Sequence, residues 1–442
     1  MGRHQIHRVE SLIAGGALVV GDGYRAKNDE LALVGLPFAR VGNINNGFHF
    51  GDADRFPVAD LAKVGNKISQ PGDVVFTSKG TVGRFAYVDQ HTERFVYSPQ
   101  LCFWRAVDRR LIAPRFLYYW MHGPEFFTQF KGVSGQTDMA EYVSLTDQRR
   151  MQITLPPLRQ QEEIAAVLGA LDDKIDLNRR MNETLEAMAR AIFEDWFVGF
   201  GPTRAKVGGA APYLEPSIWS HFSQEIADNG APAGWSQVAL ADLTSKIGSG
   251  ATPRGGNAVY IEDGVSLIRS QNIYDHEFSW DGLAHISDDD ARRLQGVTVE
   301  PNDVLLNITG DSILRTCVVD DEVLPARVNQ HVAIIRARRG ISSRFLHQHL
   351  VMQSSKDRLL GNDAGASRPA ITKGHLEAFR LICPPQPLMA AFDQITGPLF
   401  QHIAANNREA RSLAAARDLL LPKLMSGELS VRNVERELEA AL

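Results

Sequence analysis

The chain has 442 residues, enough for two or more separately cored domains, and its 44% hydrophobic and 22% charged residues are an ordinary balance for a globular protein. No apolar run approaches the roughly eighteen residues needed to span a bilayer, and the net charge of −5 excludes a uniformly basic nucleic-acid binder. Residues 1–150 carry 18 basic against 15 acidic side chains, residues 155–200 carry 5 against 9, and residues 231–382 carry 16 against 18. Only the first of these segments is mildly basic, so binding to DNA would need partners that supply positive surface. Cys102, Cys317 and Cys383 lie far apart, with neither a disulfide framework nor zinc-ligand spacing, which fits a reducing cytoplasm.

Residues 1–154 read as a mixed α+β domain with short strands. Leu12 to Val20, interrupted by Gly15 and Gly16, reads as a buried strand or turn rather than a signal peptide. Phe95 to Trp104 is rich in aromatic and β-branched residues, as a strand requires. After Pro156-Pro157 the pattern changes to that of a long helix, assigned to residues 155–200. Stepping by seven gives Ile164, Leu171, Asn178, Leu185 and Ile192, with Val167, Lys174, Met181, Met188 and Asp195 as a companion row. This is a coiled-coil seam, imperfect at its end, with a reach of roughly 55 Å at about 1.5 Å per residue.

Residues 201–230 form a linker. A second α+β domain follows over 231–383, with a strand expected at His331 to Arg336. Pro384-Pro385 then opens a second helix over 384–430, and residues 431–442 are a tail. The second seam runs Phe392, Leu399, Asn406, Leu413 and Leu420, and Gly397-Pro398 is expected to break or kink it near its start. Antiparallel pairing of the two helices would bring Asn178 and Asn406 together, where a buried polar pair would set the register. The alternative is that each asparagine faces solvent or another protein.

The chain is a tandem repeat. Pro71-Gly72-Asp73-Val74 recurs as Pro301-Asn302-Asp303-Val304, Gly80 as Gly310 and Gln100 as Gln330, all shifted by 230 residues. Arg40 with Asn43-Ile44 recurs as Arg269 with Asn272-Ile273, and Phe116-Leu117 as Phe345-Leu346, shifted by 229. Pro156-Pro157 recurs as Pro384-Pro385, shifted by 228. Six matches in order, with so small a drift, mark two copies of one unit of about 230 residues.

Catalytic signatures are missing from the sequence. It has no Gly-Lys dipeptide and hence no Walker A loop, no H-E-x-x-H, and no Asn/Asp-Pro-Pro-aromatic loop of the amino-methyltransferases. Asp172-Asp173-Lys174 has the carboxylate–lysine spacing of metal-dependent nucleases but sits in an acidic helix, where a solvated face is the plainer reading. Gly21-Asp22-Gly23 and Gly248-Ser249-Gly250 read as turns rather than cofactor loops. An enzyme would need a motif that is not found; a coiled-coil scaffold that does not bind DNA sequence-specifically is the other alternative.

Several stretches carry a family resemblance. They are Leu155-Pro156-Pro157-Leu158-Arg159-Gln160-Gln161-Glu162-Glu163-Ile164, the run from Asn178 to Ala189 with Trp196-Phe197, and Arg417-Asp418-Leu419-Leu420-Leu421-Pro422-Lys423-Leu424-Met425-Ser426-Gly427-Glu428-Leu429. With them the chain resembles the DNA specificity subunits of type I restriction-modification systems. The resemblance implies a non-catalytic subunit whose two globular parts are target recognition domains, each reading half of a bipartite asymmetric site. It implies paired helices that set the gap, with pseudo-twofold symmetry between the repeats. It also implies two methyltransferase subunits that bind S-adenosylmethionine and dock on the helices, and motor-nuclease subunits that join for restriction.

Base edges favour Arg, Lys, Asn and Gln, whereas phosphates take basic groups and hydroxyls. The candidates in the first domain are Arg40, Asn43, Asn45 and Asn46, then Ser78, Lys79 and Thr81 in a glycine-bounded loop, and Gln136 and Thr137. In the second they are Arg269, Gln271 and Asn272, then Thr309, Ser312 and Arg315, with Ser367 and Arg368 answering to the Gln136 loop. Asn and Ser in such loops also serve as turn residues. Positions shared by both halves can hold scaffold, so true readers should differ between them. Arg109-Arg110, Arg149-Arg150 and Arg338-Arg339 read as solvated surface.

Overall fold

The computed structural model describes residues 4–45, 47–78, 83–133, 143–361 and 370–433. Its contacts group into two compact units, Met1–Leu177 with Glu409–Leu442, and Asn178–Arg408. The two long helices each contribute one end to either unit.

The first unit contains β1 (Gln5–Arg8), β2 (Leu18–Asp22), β3 (Leu36–Ala39), β4 (Arg55–Phe56), β5 (Asp73–Thr77), β6 (Phe85–Tyr87), β7 (Val96–Tyr97), β8 (Leu101–Ala106) and β9 (Gln152–Leu155). An antiparallel sheet has the order β2-β8-β5-β6, a second sheet has the order β4-β3-β7, and β1 pairs with β9. In the second unit lie β10 (Ser236–Ala239), β11 (Thr244–Ser249), β12 (Val265–Ile268), β13 (Ala284–Ile286), β14 (Val304–Asn307), β15 (Thr316–Val318), β16 (Ala326–Val328), β17 (Val332–Ala337) and β18 (Arg380–Cys383). Their sheets are β11-β17-β14-β15 and β13-β12-β16, with β10 paired to β18. The two sets are the same topology strand for strand, including one parallel pair each, β3 with β7 and β12 with β16. The inner strands β5 and β14 are buried at every position, which is why they read as apolar runs rather than as alternation.

The recurring Pro-(Gly/Asn)-Asp-Val has a physical cause. Gly72 and Asn302 take left-handed backbone, at φ +100° and +64°, the conformation that Gly and Asn tolerate after a turn-opening proline. The next residue closes the turn, because Asp73 Oδ2 accepts the Gln70 N–H at 2.9 Å and Asp303 Oδ2 the Glu300 N–H at 2.7 Å. Each buried carboxylate then takes a two-pronged arginine. Arg105 donates to Asp73 at 2.6 and 2.7 Å, and Arg336 donates to Asp303 at 2.8 Å through both prongs. The Tyr97 hydroxyl also donates to Asp73, at 2.6 Å.

The two glycine motifs lie at the ends of β2 and β11 rather than in turns, and the second glycine of each is a close-approach point. A Cβ on Gly23 would lie 2.0 Å from the Ser98 carbonyl oxygen, and one on Gly250 2.0 Å from that of Val328. Their N–H groups bond the carbonyls of Leu101 and Val332, so they line no phosphate cradle.

The central helix runs Leu158–Phe193 and ends in a π-turn, Glu194–Val198, that places Trp196 and Phe197 in the core. The C-terminal helix is unbroken from Gln386 to Ser426. Of the break or kink expected at Gly397-Pro398, the break is absent: the helix continues through Pro398, which lacks an N–H to donate, over 41 residues. In the first unit the two helices run antiparallel, with Arg417 on Asp172 at 2.8 Å and Lys174 on Glu409 at 3.2 Å. They are antiparallel in the second unit too, where Asn182 bonds Asn406 and Asn407 while Phe193, further along, meets Phe392.

Ile164, Asn178, Phe392 and Asn406 are buried, while Leu171, Leu185, Ile192, Leu399, Leu413 and Leu420 are half-buried. The companion row differs from expectation. Met181 and Met188 are 40% and 49% exposed, whereas Leu168, Asn182, Ala189 and Trp196 are buried. The step from the first row is therefore four residues rather than three, the other spacing a heptad permits. The 201–230 segment holds short helices at Gly201–Val207 and Pro216–Trp219, and Phe222 is buried against the second unit's core.

Candidate nucleic-acid interface

In both units the first candidate loop is a short 3₁₀ turn, Val41–Asn43 after β3 and Ser270–Asn272 after β12. Its asparagine does structural work. Asn43 Oδ1 accepts the Arg40 N–H at 2.8 Å while its Nδ2 donates to the His49 carbonyl at 2.9 Å. Asn272 Oδ1 accepts the Arg269 N–H at 3.0 Å, and its Nδ2 donates to the Ser279 carbonyl at 3.0 Å. The arginine side chains are also engaged. Arg40 pairs with Asp54 at 2.8 Å, and Arg269 donates to the Gly282 carbonyl, as Gln271 does at 3.3 Å. Asn45 stands exposed beyond the first turn.

The second candidate loop leaves the end of β5 or β14. Ser78 is buried, with its hydroxyl donating to the Gln100 carbonyl at 3.3 Å. Thr309 bonds His331 at 2.7 Å, and Ser312 accepts Asn307 Nδ2 at 3.1 Å. Arg315 lies over the ring of Tyr274 at 4.7 Å. Asn46, Lys79, Thr81, Gln136, Thr137, Ser367 and Arg368 lie outside the described residues. Ala370, just after the last of these, is bridged to Thr309.

The structure brings the two loops of each unit together. In the first unit Arg84 donates to the carbonyls of Ile44 at 3.3 Å and Val41 at 3.5 Å. In the second, Asn307 Nδ2 donates to the Ser270 carbonyl at 2.9 Å, and Arg315 covers Tyr274. Arg84 and Arg315 are equivalent, since their carbonyls accept from Thr77 and Asn307 at 3.0 and 2.9 Å. Sequence reasoning missed Arg84 and Tyr274. Aligning the strand β6 with β15 at a shift of 231, one more than the neighbouring motif, would have paired the arginines.

The other charged motifs are tied into the scaffold. Asp172 accepts the Tyr119 hydroxyl at 2.5 Å and Arg417, Asp173 takes Arg115 at 2.5 Å, and Lys174 pairs with Glu409. No group of His, Cys, Asp or Glu among the described residues could hold a metal ion. Arg109 donates to the Pro71 carbonyl, Arg110 to Asp108, and Arg338 to the Thr244 carbonyl. Burial keeps His347 and His349 neutral, with their pKa values lowered to about 3. No helix of the described residues is long and apolar enough to cross a membrane.

Residues 20–187 match the family of the type I restriction modification DNA specificity domain. The specificity subunit of type I restriction enzyme HindI from Haemophilus influenzae is 23% identical over 445 residues, covering 89% of this chain and 94% of its own. This chain carries the DNA specificity domain of type I restriction-modification systems. The MjaIX specificity subunit of Methanocaldococcus jannaschii is likewise 23% identical, covering 83% of this chain and 80% of its own. The crystal structure of an S subunit from M. genitalium shares the fold, with a TM-score of 0.54 at 13% identity and 96% of each chain covered. As a specificity subunit, the protein supplies DNA recognition to a restriction-modification complex and is itself non-catalytic.

Proposed function

We propose that each unit of this specificity subunit is a target recognition domain that reads one half of a bipartite, asymmetric DNA site, while the helix pair sets the gap. The observation that carries this reading is the duplication: one topology occurs twice, and its two candidate loops meet in each copy. Two copies of one reader with unlike loop residues suit two unlike half-sites. The candidate DNA contacts are the loops that hold Arg40, Asn43 and Asn45, with Ser78 to Arg84, and their counterparts Arg269 to Tyr274 and Thr309 to Arg315.

The partners are two methyltransferase subunits, which carry S-adenosylmethionine, and motor-nuclease subunits that join for restriction. The outward face of the central helix supports docking there. Leu177, Met181 and Met188 are each 40% exposed or more and recur at intervals of four and seven, which keep them on one side of the helix. Partners would also supply the positive surface that a chain of net charge −5 lacks. The three cysteines, held as thiols, suit a reducing cytoplasm.

The test is DNA binding by the purified complex of this chain with its methyltransferase. Sequence-dependent affinity should appear with the chain present, exceeding non-specific binding by roughly a thousandfold or more. A complex equally indifferent to DNA sequence with and without the chain would leave a scaffold role.

A further inference from the structure

The two units mount their first candidate loop on the same frame. The chain leaves β3 or β12 at an arginine whose N–H is held by the asparagine three residues on, Asn43 or Asn272. The same asparagine reaches across the loop to a returning carbonyl, His49 or Ser279, and its own carbonyl accepts that residue's N–H at 2.9 or 2.8 Å. An isoleucine follows, Ile44 or Ile273, with no exposed surface in either unit. Each isoleucine is bridged across the loop to a phenylalanine, Phe48 or Phe278. The frame is therefore pinned on one side by the asparagine and anchored beneath by the isoleucine.

What the frame presents differs between units. The residue after the isoleucine is Asn45 in the first, exposed, and Tyr274 in the second, 43% exposed. The backbone beneath them is held alike, because the Asn45 N–H bonds the Gly47 carbonyl at 3.1 Å and the Tyr274 N–H the Glu277 carbonyl at 3.0 Å. The equivalent arginines also serve the two tips differently. Arg84 is spent on the backbone of the first turn, whereas Arg315 lies against one face of the Tyr274 ring. Residues that two readers of unlike half-sites share cannot tell those half-sites apart. The first exposed side chain beyond the shared frame can.

We propose that Asn45 and Tyr274 are specificity-determining residues, each reading a base in its own unit's half of the DNA site. The inference rests on the two-half-site reading. A carboxamide offers the donor and acceptor that match the edge of adenine in the major groove. A tyrosine steadied from one side by an arginine offers an apolar ring edge, suited to a thymine methyl, and a hydroxyl.

The test is the complex of this chain with its methyltransferase, selected against DNA in which each base of the bound motif is varied in turn. Tyr274→Ala should relax the preference at one position of one half-site by roughly ten- to a hundredfold, leaving the other half-site unchanged. Asn45→Ala should do the same in the opposite half. Tyr274→Phe separates the ring from the hydroxyl and should keep any preference that rests on ring contact. If both alanine variants bind with the wild-type preference at every position, the assignment is overturned. If the wild-type complex shows no split motif at all, the half-site reading fails first, and the proposal falls with it.

Discussion

Asp73→Ala should destabilise the first unit by about 3–5 kcal/mol, the usual consequence of stripping one partner from a buried ion pair. Asp73 has no exposed surface, and it alone supplies both carboxylate oxygens that hold Arg105 as well as the acceptor for Tyr97. Its loss also frees the Gln70–Asp73 turn that brings the chain into β5. Against a typical domain stability of about 5–15 kcal/mol, this is about a fifth of the total at the least and all of it at the most. Asp303→Ala should cost the second unit less, because Arg336 keeps Glu300 as a second carboxylate partner. Urea unfolding, with hydrogen exchange to locate the loss, tests the order. Equal effects, or an unchanged first unit, would contradict the account of the repeated Pro-(Gly/Asn)-Asp-Val.

The asparagines of the helix pair should show the opposite sign according to how many are replaced. Asn406 Nδ2 donates to Asn182 Oδ1 at 2.9 Å, Asn182 Nδ2 donates to Asn407 Oδ1 at 2.7 Å, and Asn178 Nδ2 reaches the Asn406 carbonyl at 3.4 Å. Asn182→Ala therefore deprives two other side chains of a partner inside the seam, at a cost of about 1–3 kcal/mol. Replacing Asn178, Asn182, Asn406 and Asn407 together with leucine removes donors and acceptors at once. That variant should be as stable as the wild type or more so. It should also lose the register that a buried polar cluster imposes, giving more than one species in sedimentation velocity. A quadruple variant less stable than Asn182→Ala would show that the cluster serves stability rather than register.

The duplication was legible in the sequence because repeated turn chemistry survives where side chains diverge. Gly72 and Asn302 are different residues that answer the same left-handed backbone. The helix rows were half legible. Both spacings of a heptad fit the first row, and only burial shows that Leu168 and Asn182, not Val167 and Met181, line the contact. The ion pairs of Asp73 and Asp303 were invisible, since their arginines lie more than thirty residues away in a register that only strand pairing sets. Among the candidate readers, residue type pointed equally to Asn43 and Asn45. The fold separates them, because Asn43 is bonded into its own turn and Asn45 stands beyond it.

The central claim, that two units of one chain read two halves of one DNA site, is tested most directly by single-molecule methylation mapping. DNA would be taken from cells carrying this chain and its methyltransferase, with and without the gene for this chain. The expected result is a split motif, two short half-sites around a gap of constant length, methylated only when the gene is present. An active methyltransferase whose methylated motifs are the same in both cells would contradict it.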